Sequence, residues 1–197
     1  MIDLNQHLFL LLNAGDDANP ILLSIANLIA VYAIAILPVK LVFDWLSGTS
    51  QDRQVCLAVF GTVLLAIVIN QGIGAFVYLP RPAQAGIGHS YLDHAPDSSF
   101  PSDHATVLFA AALAYVFARR RGAARLMALI ALAVSWARIY LGVHFPLDIA
   151  GAVLVGLFGA GAVSGMMKAL GVRLTNSAEA LYRHLFERLI ARGWAKP

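Results

Sequence analysis

Charge is what this sequence has least of. Lysine, arginine, aspartate and glutamate together make up 13% of its 197 residues, about half the roughly 25% usual in soluble domains. A soluble fold of this length could not cover its surface with so little charge, so soluble classes are excluded. Cysteine is nearly absent too. Cys56 is the only one and lies in an apolar run, which rules out an intrachain disulfide framework and a cysteine metal site. The N-terminus has no basic region and no small-residue cleavage site, so no removable signal peptide is expected. Neither an internal repeat nor a low-complexity tract is present.

What fills the chain instead is apolar. Hydrophobic residues make up 59% of it and the mean hydropathy is +0.73. The composition is that of an all-α membrane helix bundle, and the length suits one domain over residues 1–197. Residues 3–13 are too few to cross a hydrocarbon core of about 30 Å and predict a short interfacial or re-entrant helix, with Asp3 as N-cap. Five longer apolar runs follow: Ile21 to Trp45, Val55 to Tyr78, Ala105 to Ala118, Leu126 to Leu141, and Pro146 to Met167. Asn70 and Gln71 lie inside the second and are expected to hydrogen-bond between helices. The glycines of the fifth permit close helix packing. Over residues 172–197, apolar residues from Ala178 to Ile190 recur at helical spacing and predict an amphipathic surface helix. The glycine-rich span and this tail helix can each support a homodimer.

Five spans place alternate loops on opposite sides. Twelve of the 14 lysines and arginines fall on one side, which the positive-inside rule makes cytoplasmic. The two exceptions are Arg81 and Arg138. Their side also receives residues 1–20, the long polar loop 79–103 and the turn 142–146. Cations kept there against the topology bias have a task. Within that loop His89, Asp93, His94 and Asp97 are expected to be solvated rather than to bind metal.

The stretch from Arg138 to Asp148 carries a cation, an imidazole and a carboxylate between two apolar runs. On a helix starting near His144, the i,i+4 spacing brings Asp148 to the same face. A carboxylate there can fix the ring's tautomer and raise its basicity. Read alone, the stretch could equally be a salt-bridged helix end. Arg81-Pro82 and Phe100-Pro-Ser-Asp-His104 reach the same membrane face. With the free N–H groups of a helix start near Ser102, the three segments compose an anion site of the phosphate kind. Two histidines beside it can divide nucleophilic attack and proton transfer.

These three segments resemble the three-part signature of the type 2 phosphatidic acid phosphatase superfamily, K-x6-RP, PSGH and SR-x5-H-x3-D, over roughly residues 55–165. Arg81-Pro82 matches the first part, but its lysine position is Gly74. Pro101-Ser-Asp-His104 matches the second, with Asp103 for glycine. Arg138, His144 and Asp148 keep the third, with Ala137 for serine. The departures are most similar to the bacterial undecaprenyl-diphosphatases related to the bacitracin-resistance protein.

The resemblance implies hydrolysis of undecaprenyl diphosphate to undecaprenyl phosphate on the outer face of the bacterial plasma membrane, without metal or cofactor. It implies His144 as nucleophile, Asp148 as its orienting partner and His104 as acid and base. Arg81, Arg138 and Ser102 would hold phosphate oxygens. Asp103 is expected to pair with an arginine or to favour the helix dipole. Other readings share the site: phosphatidylglycerophosphate, phosphatidic acid or a lipid A phosphate as substrate, or phosphotransfer to another lipid. A transporter or flippase of carrier lipids is the non-enzymatic alternative, and nucleic acid is not an expected partner.

Overall fold

The computed structural model describes residues 3–95, 97–194 and 196. Among these the regular structure is helical. Helix α1 spans Leu4–Leu12 and starts with a reciprocal capping box between Asp3 and Gln6. Helix α2, Pro20–Tyr32, opens on Asn19, whose side chain accepts from Ile21 N–H, with Pro20 in the first turn. A 3₁₀ turn at Ala33–Ala35 separates it from α3, Ile36–Ser47. The cause lies in Pro38, which has no N–H to give the carbonyl of Ile34. The run expected as one span is thus two helices in line.

Helix α4 covers Ser50–Phe76, started by a capping box between Thr49 and Asp52. Helix α5 is Asp103–Phe117, α6 is Arg121–Tyr140 and α7 is Pro146–Leu185, followed by the short α8, Glu187–Ala191. Four helical stretches are long and apolar enough to cross a membrane: Pro20–Ser47, Ser50–Phe76, α6 and α7. The third expected span, α5, is present but shorter. Its 15 residues reach about 22 Å at 1.5 Å per residue. It packs against α4, α6 and α7, and more than half of its residues are buried. A helix so enclosed by its neighbours need not match the bilayer thickness itself. Around it, Val39, Phe43, Leu129, Leu154 and Phe158 are left exposed, an outer surface suited to lipid rather than water. The protein is a multi-pass membrane protein.

The tail differs from expectation in its boundaries. Its helix is a continuation of α7, which runs 40 residues without a break. Gly171 does not end it, and lies against the Gln54 side chain of α4. Among the described residues of the expected apolar stripe, Tyr182 is buried, edge-on to Trp45, while Leu181 and Leu185 are exposed. The Leu189 side chain lies outside the described residues. Thr175 and Glu179 are buried instead, and Glu179 faces the buried guanidinium of Arg53 on α4.

The fifth-span glycines divide likewise. Gly151 makes room for the Phe100 ring and Gly156 for the α5 backbone at Ala110, whereas Gly161 and Gly165 face open space. Within the fifth span the tightest approaches therefore fall at Gly151 and Gly156, nearest the polar loop.

Candidate active site

Four chain segments meet at one end of the bundle: the end of α4 with its following loop, the start of α5, the end of α6, and the start of α7. The long loop between α4 and α5 is held in place by named bonds. Asn13, just past α1, donates to the carbonyls of His89 and Tyr140 at 2.9 and 3.0 Å and accepts from His89 N–H at 2.8 Å. Tyr91 N–H donates to the Leu141 carbonyl at 3.0 Å. Gly142 turns the chain between α6 and α7 at φ 79°, where a Cβ would strike the His89 carbonyl. Only glycine satisfies both demands. Helix α1 closes over the same hairpin. Phe9 packs edge-on to Phe145 at 5.1 Å, and Asn5 accepts from Leu147 N–H in the first turn of α7.

His144 sits in this hairpin, 2% exposed. Its Nδ1 lies 3.0 Å from the Ser99 carbonyl and 3.3 Å from Asp148 Oδ2. Both are acceptors, so Nδ1 carries the proton and Nε2 keeps its lone pair. Asp148 is fixed in turn by the Ser99 hydroxyl and by Phe145 N–H. Burial, then the neighbouring Arg138 and Arg81 cations, hold the His144 pKa well below its ordinary 6.5. The ring is therefore a neutral imidazole.

Arg81 is 5% exposed. Its Nη1 donates to the Val143 carbonyl at 3.2 Å and lies within 3.4 Å of both ring nitrogens of His144. Its Nε and Nη2 go to Asp97, and Nη2 also to the Ser98 carbonyl. Arg138 reaches the site from the last turn of α6. Nη1 donates to the Ala30 carbonyl, while Nε is buried with no hydrogen-bond partner. Ser102, the N-cap of α5, makes no side-chain cap bond, and its hydroxyl is likewise buried without a partner. Donors left unpaired in a protein interior are costly unless something accepts from them. His104, the second residue of α5, is partly buried near Arg138, His144, His94 and Arg81.

All six residues singled out in the sequence thus converge. Asp103 does not pair with an arginine. It accepts from Asn70 at 2.6 Å and Gln71 at 3.1 Å across the α4–α5 contact. Asn70 also donates to the Pro101 carbonyl and accepts from the Thr106 hydroxyl, the interhelical role expected of it. Gly74 faces Ser98. Ala137, the other departure from the signature, is buried in an apolar cluster with Ala26, Ala30, Leu141 and Val143.

Three residues join the site against expectation: Ser99, not singled out in the sequence, and Asp97 and His94, expected to be solvated loop residues. Ser99 ties Asp148 to His144. Asp97 takes Arg81. His94 stands edge-on to His144 at 6.2 Å and pairs with Asp97 at 3.4 Å. Burial, then Arg81, lowers the His94 pKa. His89 instead pairs with Asp16. Among the described residues, no group of three or more His, Cys, Asp or Glu is placed to hold a metal ion.

A buried imidazole whose Nδ1 is tied to acceptors and whose Nε2 lone pair faces the Arg81 donor at 3.3 Å, beside an unpaired guanidinium N–H and an unpaired hydroxyl, can take up a phosphoryl group and hold its oxygens. Set at the end of a bundle of spanning helices, it defines the class of membrane-embedded phosphatases. The chain belongs to the PAP2 superfamily, whose family model matches residues 55–171. It is 35% identical over 194 residues, 98% of each chain, to the putative undecaprenyl-diphosphatase YbjG of Escherichia coli (strain K12). It is 33% identical to the undecaprenyl-diphosphatase BcrC of Bacillus subtilis (strain 168), over 78% of this chain and 79% of that one. These relatives belong to the branch that the signature departures pointed to. The crystal structure of LpxE from Aquifex aeolicus shares the fold, with a TM-score of 0.65 over 82% of this chain and 94% of that one, at 23% identity.

Proposed function

We propose that the protein hydrolyses undecaprenyl diphosphate to undecaprenyl phosphate, with its site on the outer face of the plasma membrane. The observation that carries the reaction is the anchored His144 ring. With Nδ1 held by the Ser99 carbonyl and Asp148, the Nε2 lone pair attacks the terminal phosphorus. The bond from that phosphorus to the bridging oxygen breaks. His104, made an imidazolium by a proton taken up as the negatively charged diphosphate binds beside it, gives that proton to the departing lipid monophosphate. His104, now neutral, takes a proton from water, whose oxygen attacks the phosphohistidine. Inorganic phosphate leaves and Nε2 regains its lone pair. Arg138 Nε, Ser102 Oγ and the first N–H groups of α5 supply donors to the phosphoryl oxygens. Arg81 adds positive charge beside the ring.

The substrate rests on the two relatives named as undecaprenyl-diphosphatases. The orientation rests on the placement of 12 of the 14 basic residues toward the opposite end. The test is a panel of undecaprenyl diphosphate, phosphatidylglycerophosphate, phosphatidic acid and lipid A phosphate, run on purified wild type and His144→Ala. Phosphate release from undecaprenyl diphosphate that disappears in the variant supports the reading. Turnover of another lipid with undecaprenyl diphosphate untouched overturns the substrate. Retained function in folded His144→Ala overturns the mechanism and favours a carrier.

A further inference from the structure

At the end of the bundle opposite His144 lies a second polar cleft, of about 580 Å³, between the end of α3, the starts of α4 and α6, and the end of α5. Its wall carries Lys40, Arg119, Arg120 and Arg121 against two acids, Asp44 and Asp52. The acids are both taken: Asp44 by Lys40 at 2.8 Å and Asp52 by Arg120 at 2.7 Å. Arg119 and Arg121 make no ion pair among the described residues, so the cleft keeps a surplus of positive charge. Helix α6 also starts there without a side-chain cap, which leaves the N–H groups of its first turn, at Arg121, Gly122 and Ala123, directed at the cleft.

Topology bias alone explains arginines at this end. It does not explain Tyr115. That residue is 1% exposed, lines the cleft, and has a buried hydroxyl with no hydrogen-bond partner. Asp44, the acid beside it, is engaged by Lys40 at 2.8 Å. Lys40 Nζ stands 5.5 Å from the centre of the same ring. A buried hydroxyl donor, free guanidinium groups and an uncapped helix start share one complement, a compact multivalent oxyanion.

We propose that this cleft binds the phosphate group of an anionic ligand, separately from the His144 site. A phospholipid headgroup and soluble phosphate offer the same chemistry. The surroundings suit the headgroup. Val39 and Phe43 on α3 and Val116 and Phe117 on α5 are exposed apolar residues near the cleft, able to lie along acyl chains.

Native mass spectrometry of the full-length protein in detergent tests this with phosphatidylglycerol, diacylglycerol as the same tails without phosphate, and inorganic phosphate as competitor. Wild type retains phosphatidylglycerol in preference to diacylglycerol. Tyr115→Phe, which keeps the ring, and Arg121→Gln, which changes an exposed side chain, each weaken that retention about tenfold, the scale of one charge-assisted hydrogen bond. Displacement by inorganic phosphate in wild type assigns the cleft to soluble phosphate, and persistence of the lipid assigns it to the headgroup. Equal retention in wild type and both folded variants, or no preference over diacylglycerol, overturns the proposal.

Discussion

Asp97 grips Arg81 from the side, accepting from Nε at 3.0 Å and from Nη2 at 2.7 Å. With Ser98 and Val143 carbonyls on the remaining donors, Arg81 has little left for a phosphate. Arg81 is buried, but the Asp97 side chain is 53% exposed, so solvent reaches the pair from one side and its contribution stays near the upper end of the exposed-pair range, about 1 kcal/mol. A phosphate with more charge can therefore displace the carboxylate at small cost. Asp97→Asn removes the competitor and its repulsion, so competitive inhibition by orthovanadate tightens, by about two- to fivefold on that energy scale. Weaker inhibition in the variant would show that Asp97 instead holds Arg81 ready for substrate.

Ser99 acts on the reaction through its neighbours. Its carbonyl faces His144 Nδ1 and its hydroxyl donates to Asp148. Ser99→Ala keeps the first and deletes the second. A hydrogen bond to a buried charged group contributes about 1.5–3 kcal/mol, so kcat for phosphate release falls roughly 10- to 100-fold. Ser99→Thr, which keeps a hydroxyl, recovers part of that loss. KM stays near wild type, because Ser99 touches the histidine and not the phosphate donors. A change in KM with kcat intact would place Ser99 in substrate binding.

The charge map, the three segments and the internal spacing of Arg138, His144 and Asp148 made the six converging residues readable without coordinates. Five of them sit at helix ends or in the short turn between α6 and α7, where local sequence dictates position, and Arg81 follows α4 by five residues. Ser99, Asp97 and His94 were not readable, because they reach the site through a loop with no periodicity, positioned by partners such as Asn13 some 76 residues away. The fold followed the same division. Apolar runs located the spanning helices, but a run has no mark for enclosure, so α5 read as an ordinary span. The tail was legible in part. The exposed Leu181 and Leu185 fit the amphipathic surface helix read from their periodicity, but nothing in the sequence marked its continuity with α7 or the buried polar contact between Glu179 and Arg53.

The neutral state of His144 has a measurable signature. Its folded pKa is depressed by burial and by Arg138 and Arg81. An unfolded chain takes up a proton on this ring as pH falls through about 6.5, and the folded protein does not. The resulting contribution to stability is present above that pH and is lost progressively as pH falls below it. In ¹⁵N spectra of the ligand-free protein, the His144 ring keeps an unprotonated Nε2 well below pH 6.5. Protonation of His144 at its ordinary pH would contradict the geometry described for Nδ1 and Nε2.

Asn70 and Asp103 separate what holds the site together from what merely decorates it. Asn70 is 3% exposed and bonds to the Pro101 carbonyl, Asp103 and the Thr106 hydroxyl. It thereby sets the start of α5, with Ser102 and His104, against α4. Asp103 is exposed and holds only the outer edge of that contact. Asp103→Gly, which restores the family residue, leaves Asn70 two of its three partners and costs about 1 kcal/mol or less of stability. Asn70→Ala strands the Pro101 carbonyl and the Thr106 hydroxyl in the interior and costs about 2–4 kcal/mol. Thermal unfolding in detergent orders the two variants. In activity the order is the same, since a shifted α5 start moves Ser102 and His104 together. An Asp103→Gly variant that loses more activity than Asn70→Ala would mean that the Asp103 carboxylate acts on the phosphate directly.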